Sequence, residues 1–131
     1  MDSKILFVDD DAFILRLIEA YMEGEFQVAL AGSAGEALAM IETHGPFRVV
    51  VSDYEMPGMK GVELLCQVAR RWPDTLRILM SGGAMDMDRV DRAVRAGCVS
   101  EVLAKPFCFE SLCERLRDEL QERETARPTK E

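Results

Sequence analysis

Short apolar runs, several of them rich in β-branched residues, alternate in this chain with longer stretches of helical periodicity. Few folds accommodate that pattern, because each run must be buried on both faces and each amphipathic stretch must supply the cover. Ile5-Leu6-Phe7-Val8 is such a run, bounded by Asp9-Asp10-Asp11. From Ala12 to Glu23, apolar residues at Phe13, Ile14, Leu17, Ile18 and Tyr21 recur with helical spacing, and Gly24 closes the segment. Phe26 to Ala31 reads as the next strand. Ser33-Ala34-Gly35-Glu36 has capping-box form, so a helix starts there and runs to about His44, where Gly45-Pro46 stops it. Phe47 to Ser52 is a strand, Met56 to Lys60 a Pro/Gly loop, and Val62 to Arg71 a helix ended by Trp72-Pro73. The pattern recurs with strand Leu76 to Met80, helix Asp88 to Ala96, strand Val102 to Ala104 and helix Phe109 to about Glu122.

Alternation of this kind predicts an α/β fold, a doubly wound five-stranded parallel sheet with five helices on two faces, reached through right-handed crossovers. The 131 residues, 48% of them apolar, suit one domain with a sizeable core. We place that domain at residues 1–120 and read 121–131, polar and carrying Pro128, as a C-terminal tail or linker stub.

No run approaches the ~20 apolar residues of a membrane helix, and Met1-Asp2-Ser3-Lys4 lacks the features of a signal peptide, so a soluble, cytoplasmic protein without membrane contact is expected. The net charge of −8, from 24 acidic and 16 basic residues, opposes direct binding to nucleic acid. Cys66, Cys98, Cys108 and Cys113 show no CxxC spacing and are expected as free thiols. His44, the only histidine, falls near a helix end and far from the acidic residues, which favours a surface role.

The functional signal lies in where the polar residues fall. Asp9 and Asp10 follow strand one, Asp53 follows strand three, Ser81 strand four and Lys105 strand five. All sit at carboxyl ends, the edge of an open parallel sheet where ligands bind. If strands one and three are neighbours, Asp9, Asp10 and Asp53 converge, and packed carboxylates demand a hard cation, Mg²⁺ or Mn²⁺. Singly, each residue has a plainer reading: Asp11 and Asp53 as caps, Ser81 in a turn, Lys105 as a solvated charge. Their joint placement at four strand ends carries the inference.

Val8-Asp9-Asp10-Asp11, the run from Val51-Ser52-Asp53 through Met56-Pro57-Gly58 to Lys60-Gly61, Met80-Ser81 and Lys105-Pro106-Phe107 resemble the receiver domains of two-component response regulators, over about residues 3–120. The resemblance implies a flavodoxin-like strand order 2-1-3-4-5. It makes Asp53 the phosphoacceptor, with Asp10 and Asp53 binding Mg²⁺ directly, Asp9 acting through a metal-bound water, and the Glu55 backbone carbonyl completing the protein ligands. Ser81 senses the phosphoryl group and Lys105 pairs with it. The implied partners are a histidine kinase or histidine phosphotransfer protein and an unknown downstream protein, the module being a monomer or weak dimer that acts alone or as a relay.

Against the family pattern, Val102 stands where Tyr or Phe is usual, which removes an aromatic switch there. Gly82 and Gly83 make the loop after Ser81 permissive. The Gly97-to-Lys105 spacing, one residue longer than common, is similar to receivers joined to HD-GYP phosphodiesterase domains. Two other functions compete: a Mg²⁺-dependent aspartyl phosphatase, with Glu55 as its acid, and a pseudo-receiver acting by protein contacts alone. Of the eight methionines, Met85 and Met87 are the candidates for an exposed partner surface.

Overall fold

The computed structural model describes residues 4–81, 86–104 and 109–126. Among them, strands β1 (Lys4–Val8), β2 (Gln27–Ala31), β3 (Val49–Asp53), β4 (Leu76–Ser81) and β5 (Glu101–Ala104) alternate with five helices. These are α1 (Ala12–Met22), α2 (Ala34–His44), α3 (Gly61–Arg71), α4 (Met87–Arg95) and α5 (Phe109–Ala126). The strands form one parallel sheet in the order β2-β1-β3-β4-β5, as expected.

Alternation along each strand divides the core in two. Leu6, Val8, Val50 and Leu79 point to one face, where they meet Ile41 of α2, Val62, Leu65 and Val68 of α3, and Val90 and Ala93 of α4. Ile5, Phe7, Val49, Val51, Ile78 and Met80 point to the other, against Ile18 and Met22 of α1 and Leu112, Leu116 and Leu120 of α5. Both faces are therefore dry, and this is why the strand sequences are continuously apolar rather than alternating. A one-residue slip in β1 or β3 would exchange the side chains between two differently shaped layers, so the register is tightly specified.

Asp11 caps α1 as its position suggested, its carboxylate accepting from Phe13 N–H at 3.0 Å and Ile14 N–H at 3.4 Å. At α2, Ser33 Oγ accepts from Glu36 N–H at 3.1 Å, but the Glu36 carboxylate accepts from Gly32 N–H at 2.8 Å. That acceptance replaces the reciprocal bond to the Ser33 N–H that a full capping box would have made. The third strand begins at Val49 and extends through Asp53. Phe47 is buried ahead of the ladder, while Asp53 pairs in register with Met80. Likewise Ser81 is the last residue of β4, and α5 runs past residue 120 to Ala126. An ion pair from Arg117 to Glu25 ties α5 to the turn after α1, and that guanidinium holds the Glu25 carboxyl below its ordinary range.

The expectation of free thiols fails at two cysteines. Cys66 of α3 and Cys98, just beyond α4, are disulfide-bonded, with Cα atoms 4.5 Å apart and a sequence separation of 32. Local spacing gave no sign of this pair because the crossover through β4 and α4 brings it together. Cys113 is a buried thiol, and Cys108 lies outside the described residues. Among the described residues, no helix is long and apolar enough to cross a membrane.

Candidate functional site

The order of strand addition reverses between β1 and β3: the chain leaves β1 towards β2 on one side and later returns to build β3, β4 and β5 on the other. At such a switch point the loops beyond adjacent carboxyl ends splay apart and leave a crevice. Asp9 and Asp10 leave β1 there and Asp53 ends β3. One carboxylate oxygen from each of the three lies within 4.8 Å of the others. Asp9 is 1% exposed and Asp53 9%, whereas Asp10 is open to solvent. The recess thus holds two buried carboxylates and one on its solvent-facing side.

Backbone bonding fixes these carboxylates. Asp9 N–H donates to the Ala31 carbonyl at 3.1 Å, and the Asp9 carboxylate accepts from Asp11 N–H at 3.0 Å. The three consecutive aspartates therefore divide their work: Asp11 starts the helix, and Asp9 and Asp10 face the recess. On β3, Tyr54 N–H donates to the Met80 carbonyl at 3.0 Å, and the buried Ser52 hydroxyl donates to the Asp53 carbonyl at 3.0 Å. Gly61, the first residue of α3, packs against that same carbonyl. A Cβ there would collide with the Asp53 oxygen and stand 3.0 Å from both the Asp53 carbonyl carbon and Ser52 Oγ. Gly61 N–H donates to the Tyr54 carbonyl at 3.0 Å and locks the loop in place.

Three ionised carboxylates at this spacing oppose one another by about 1–3 kcal/mol per pair, for effective dielectric constants between bulk water and a protein surface. An arrangement that gathers such charge and offers oxygen donors without sulfur or imidazole fits a hard divalent cation, Mg²⁺ before Zn²⁺. The Glu55 side chain does not join the cluster; it is exposed and forms an ion pair with Lys60.

Ser81 lies one position beyond Met80, the register partner of Asp53, and is itself paired with Ala104. The hydroxyl residue and the position preceding Lys105 thus stand on the same sheet edge as the acidic recess. Lys105 itself, and the Gly82-Gly83 loop with Met85, lie outside the described residues. His44 is exposed at the end of α2, beside a cavity of about 370 Å³ that Lys4, Gln27 and Phe47 also line, at the amino end of the sheet. It is remote from the acidic edge. The sequence reading gave no role to Ser52 or Gly61; a glycine directly before an amphipathic run, eight residues after a candidate nucleophile, was the available signal for the second.

Fold and recess together define a class, the small α/β module built around an acidic pocket at the carboxyl edge of a doubly wound sheet. Residues 5–117 match the response regulator receiver domain model, and the chain belongs to that family, the receivers of two-component signalling. It is 32% identical over 119 residues to the hydrogenase transcriptional regulatory protein HoxA of Cupriavidus necator, covering 91% of this chain and 24% of that protein. The chain thus spans about a quarter of that relative's length. Among solved structures, a CheY-like receiver domain protein from Methanospirillum hungatei is 30% identical with a TM-score of 0.85, over 96% of this chain and 99% of that one. The receiver domain of an HD domain-containing protein from Pseudomonas fluorescens is 26% identical with a TM-score of 0.83, over 95% and 99%.

Proposed function

We propose that Asp53 accepts a phosphoryl group from the phosphohistidine of a histidine kinase or phosphotransfer protein, and that its modification changes the surface around β4 and β5. The observation that carries this reading is the convergence of Asp9, Asp10 and Asp53 within 4.8 Å at the switch point of the sheet. In the transfer, an Asp53 carboxylate oxygen attacks phosphorus as the donor's P–N bond breaks, giving an acyl phosphate and releasing the imidazole. Asp9, Asp10 and Asp53, with the Glu55 carbonyl, would hold Mg²⁺ or Mn²⁺. When bound, the cation supplies the positive charge that lets an anionic carboxylate and phosphoryl group approach.

Lys105 places a compact charge against the phosphoryl oxygens, and Ser81 donates a hydrogen bond to one of them, drawing the end of β4 towards Asp53. The surface flanking this edge suits a protein partner: Met87 and Val94 of α4 and Val102 of β5 are 54%, 42% and 39% exposed. Hydrolysis of the acyl phosphate returns Asp53 to its free carboxylate and resets the switch, so the modification serves as a signal on this chain rather than as an intermediate in the turnover of a small phosphoester. Glu55, the acid such a phosphatase would use, is engaged by Lys60 on the surface. The test is transfer of labelled phosphate from a histidine-phosphorylated phosphotransfer domain. Label should move to this chain in Mg²⁺, and not in chelator or in Asp53→Asn; transfer to Asp53→Asn at the wild-type rate would refute the assignment.

A further inference from the structure

We propose that Cys66 and Cys98 form a reversible redox site, closed by low-molecular-weight disulfides of the glutathione class, that tethers α3 to the corner between α4 and β5. Cys98 is positioned by bonds that do not involve its sulfur. Gly97, at φ +84°, turns the chain off the end of α4, its N–H donating to the Val94 carbonyl at 3.0 Å, while Cys98 N–H donates to the Ala93 carbonyl at 2.8 Å. This is a complete Schellman closure. From β4, the Arg77 guanidinium donates to the Cys98 carbonyl at 2.9 Å and the Gly97 carbonyl at 3.0 Å. Ser100 adds a further link, its N–H donating to the Arg77 carbonyl at 2.7 Å. Cys66 sits in the middle of a helix. Opening the bond therefore leaves both backbones in place, with Cα atoms 4.5 Å apart, inside the range a disulfide spans.

The pair is also reachable. Both cysteines are half-buried, and Cys66 lines an open groove of about 430 Å³ together with Glu63, Gln67 and Arg70. Arg70, one helical turn on, gives the carboxylates of a small anionic disulfide a cation to pair with in that groove. Cys113, by contrast, is 2% exposed with its sulfur 3.9 Å from Met22 Sδ inside the core. In closure, the Cys66 thiolate attacks one sulfur of the small disulfide, whose S–S bond breaks to release a thiolate. Cys98 then attacks the Cys66 sulfur of the mixed disulfide and expels the second thiolate. The two protons of the cysteine thiols end on the two released small thiols, so two electrons pass from the protein to the oxidant.

The whole chain is equilibrated across ratios of oxidised to reduced glutathione, quenched in acid, alkylated and peptide-mapped. Cys66 and Cys98 should lose alkylation together, with a mass decrease of about 2 Da, a peptide bridging the two, and full recovery in dithiothreitol. Cys98→Ser should instead gain one glutathionyl group at Cys66. Amide exchange around residues 62–68 and 96–99 should slow on oxidation in the wild type and not in Cys66→Ser. Both thiols alkylating fully in excess oxidised glutathione, a bridge to Cys108 or Cys113, or equal exchange in the two redox states would overturn the proposal. None of these readouts depends on Asp53.

Discussion

Gly61 and the Asp53 carbonyl are packed so closely that no side chain fits between the start of α3 and the end of β3. Gly61→Ala must push backbone against backbone, so the expected cost is about 1–3 kcal/mol of stability. It should also displace Asp53 from its partners in the recess. Misplacement of a reacting group by about 1 Å can cost up to ~10²-fold in rate, so phosphorylation by a small donor should fall at least tenfold. Gly35→Ala is the control: nothing lies within 4 Å of its Cβ position. In the first turn of α2 it should change stability by less than about 1 kcal/mol and leave labelling unchanged. Thermal melts and labelling rates of the two variants check both expectations; a Gly61→Ala protein that labels at the wild-type rate would contradict the first.

Asp10 is the exposed member of the cluster and repels two buried neighbours. In metal-free protein, Asp10→Asn should raise the melting temperature, by roughly four degrees for about 1 kcal/mol of relieved repulsion. Mg²⁺ at ten times its dissociation constant should stabilise the wild type by about 1.4 kcal/mol, or roughly five degrees, because it binds the folded recess and not the unfolded chain. The variant should lose most of that increment. Thermal scans with and without chelator measure both, and a metal-free variant that melts lower than wild type would contradict the repulsion argument.

Ser81 ends β4 one position beyond the partner of Asp53. A hydrogen bond to a charged phosphoryl oxygen is worth about 1.5–3 kcal/mol, so Ser81→Ala should shift the switching equilibrium by about tenfold or more. Phosphoryl acceptance at Asp53 should persist. Backbone chemical shifts flanking residue 81, recorded with and without Mg²⁺ and beryllofluoride, test the separation: the variant should show a much smaller response, and a response equal to wild type would remove Ser81 from the switch.

The layered fold could be read from the sequence because burial on both faces leaves a direct mark: Ile5 to Val8 and Val49 to Val51 carry no polar residue. Parallel topology put Asp9, Asp10 and Asp53 on one edge, and their convergence required β1 and β3 to be neighbours, the order the receiver resemblance implied and the sheet has. What escaped were contacts set by distance between helices and loops. Cys66 and Cys98 meet only after β4 and α4 have been laid down between them. The Arg77 fork, reaching the Cys98 and Gly97 carbonyls, looks in sequence like an ordinary strand cation. Glu36 reaches the Gly32 N–H in place of that of Ser33, a choice between adjacent backbone donors that the capping-box pattern does not encode. Strands β3 and β4 run one residue past their expected ends at Ser52 and Met80, to Asp53 and Ser81, because ladder bonding, not hydrophobicity, sets where a strand stops.

Phosphoryl acceptance at Asp53 is read from the intact mass of the chain after incubation with acetyl phosphate and Mg²⁺. One phosphoryl group should be added, absent in chelator, abolished by Asp53→Asn and lost on standing as the acyl phosphate hydrolyses. No mass change under conditions that label a control receiver, or an addition that persists in Asp53→Asn, would contradict it.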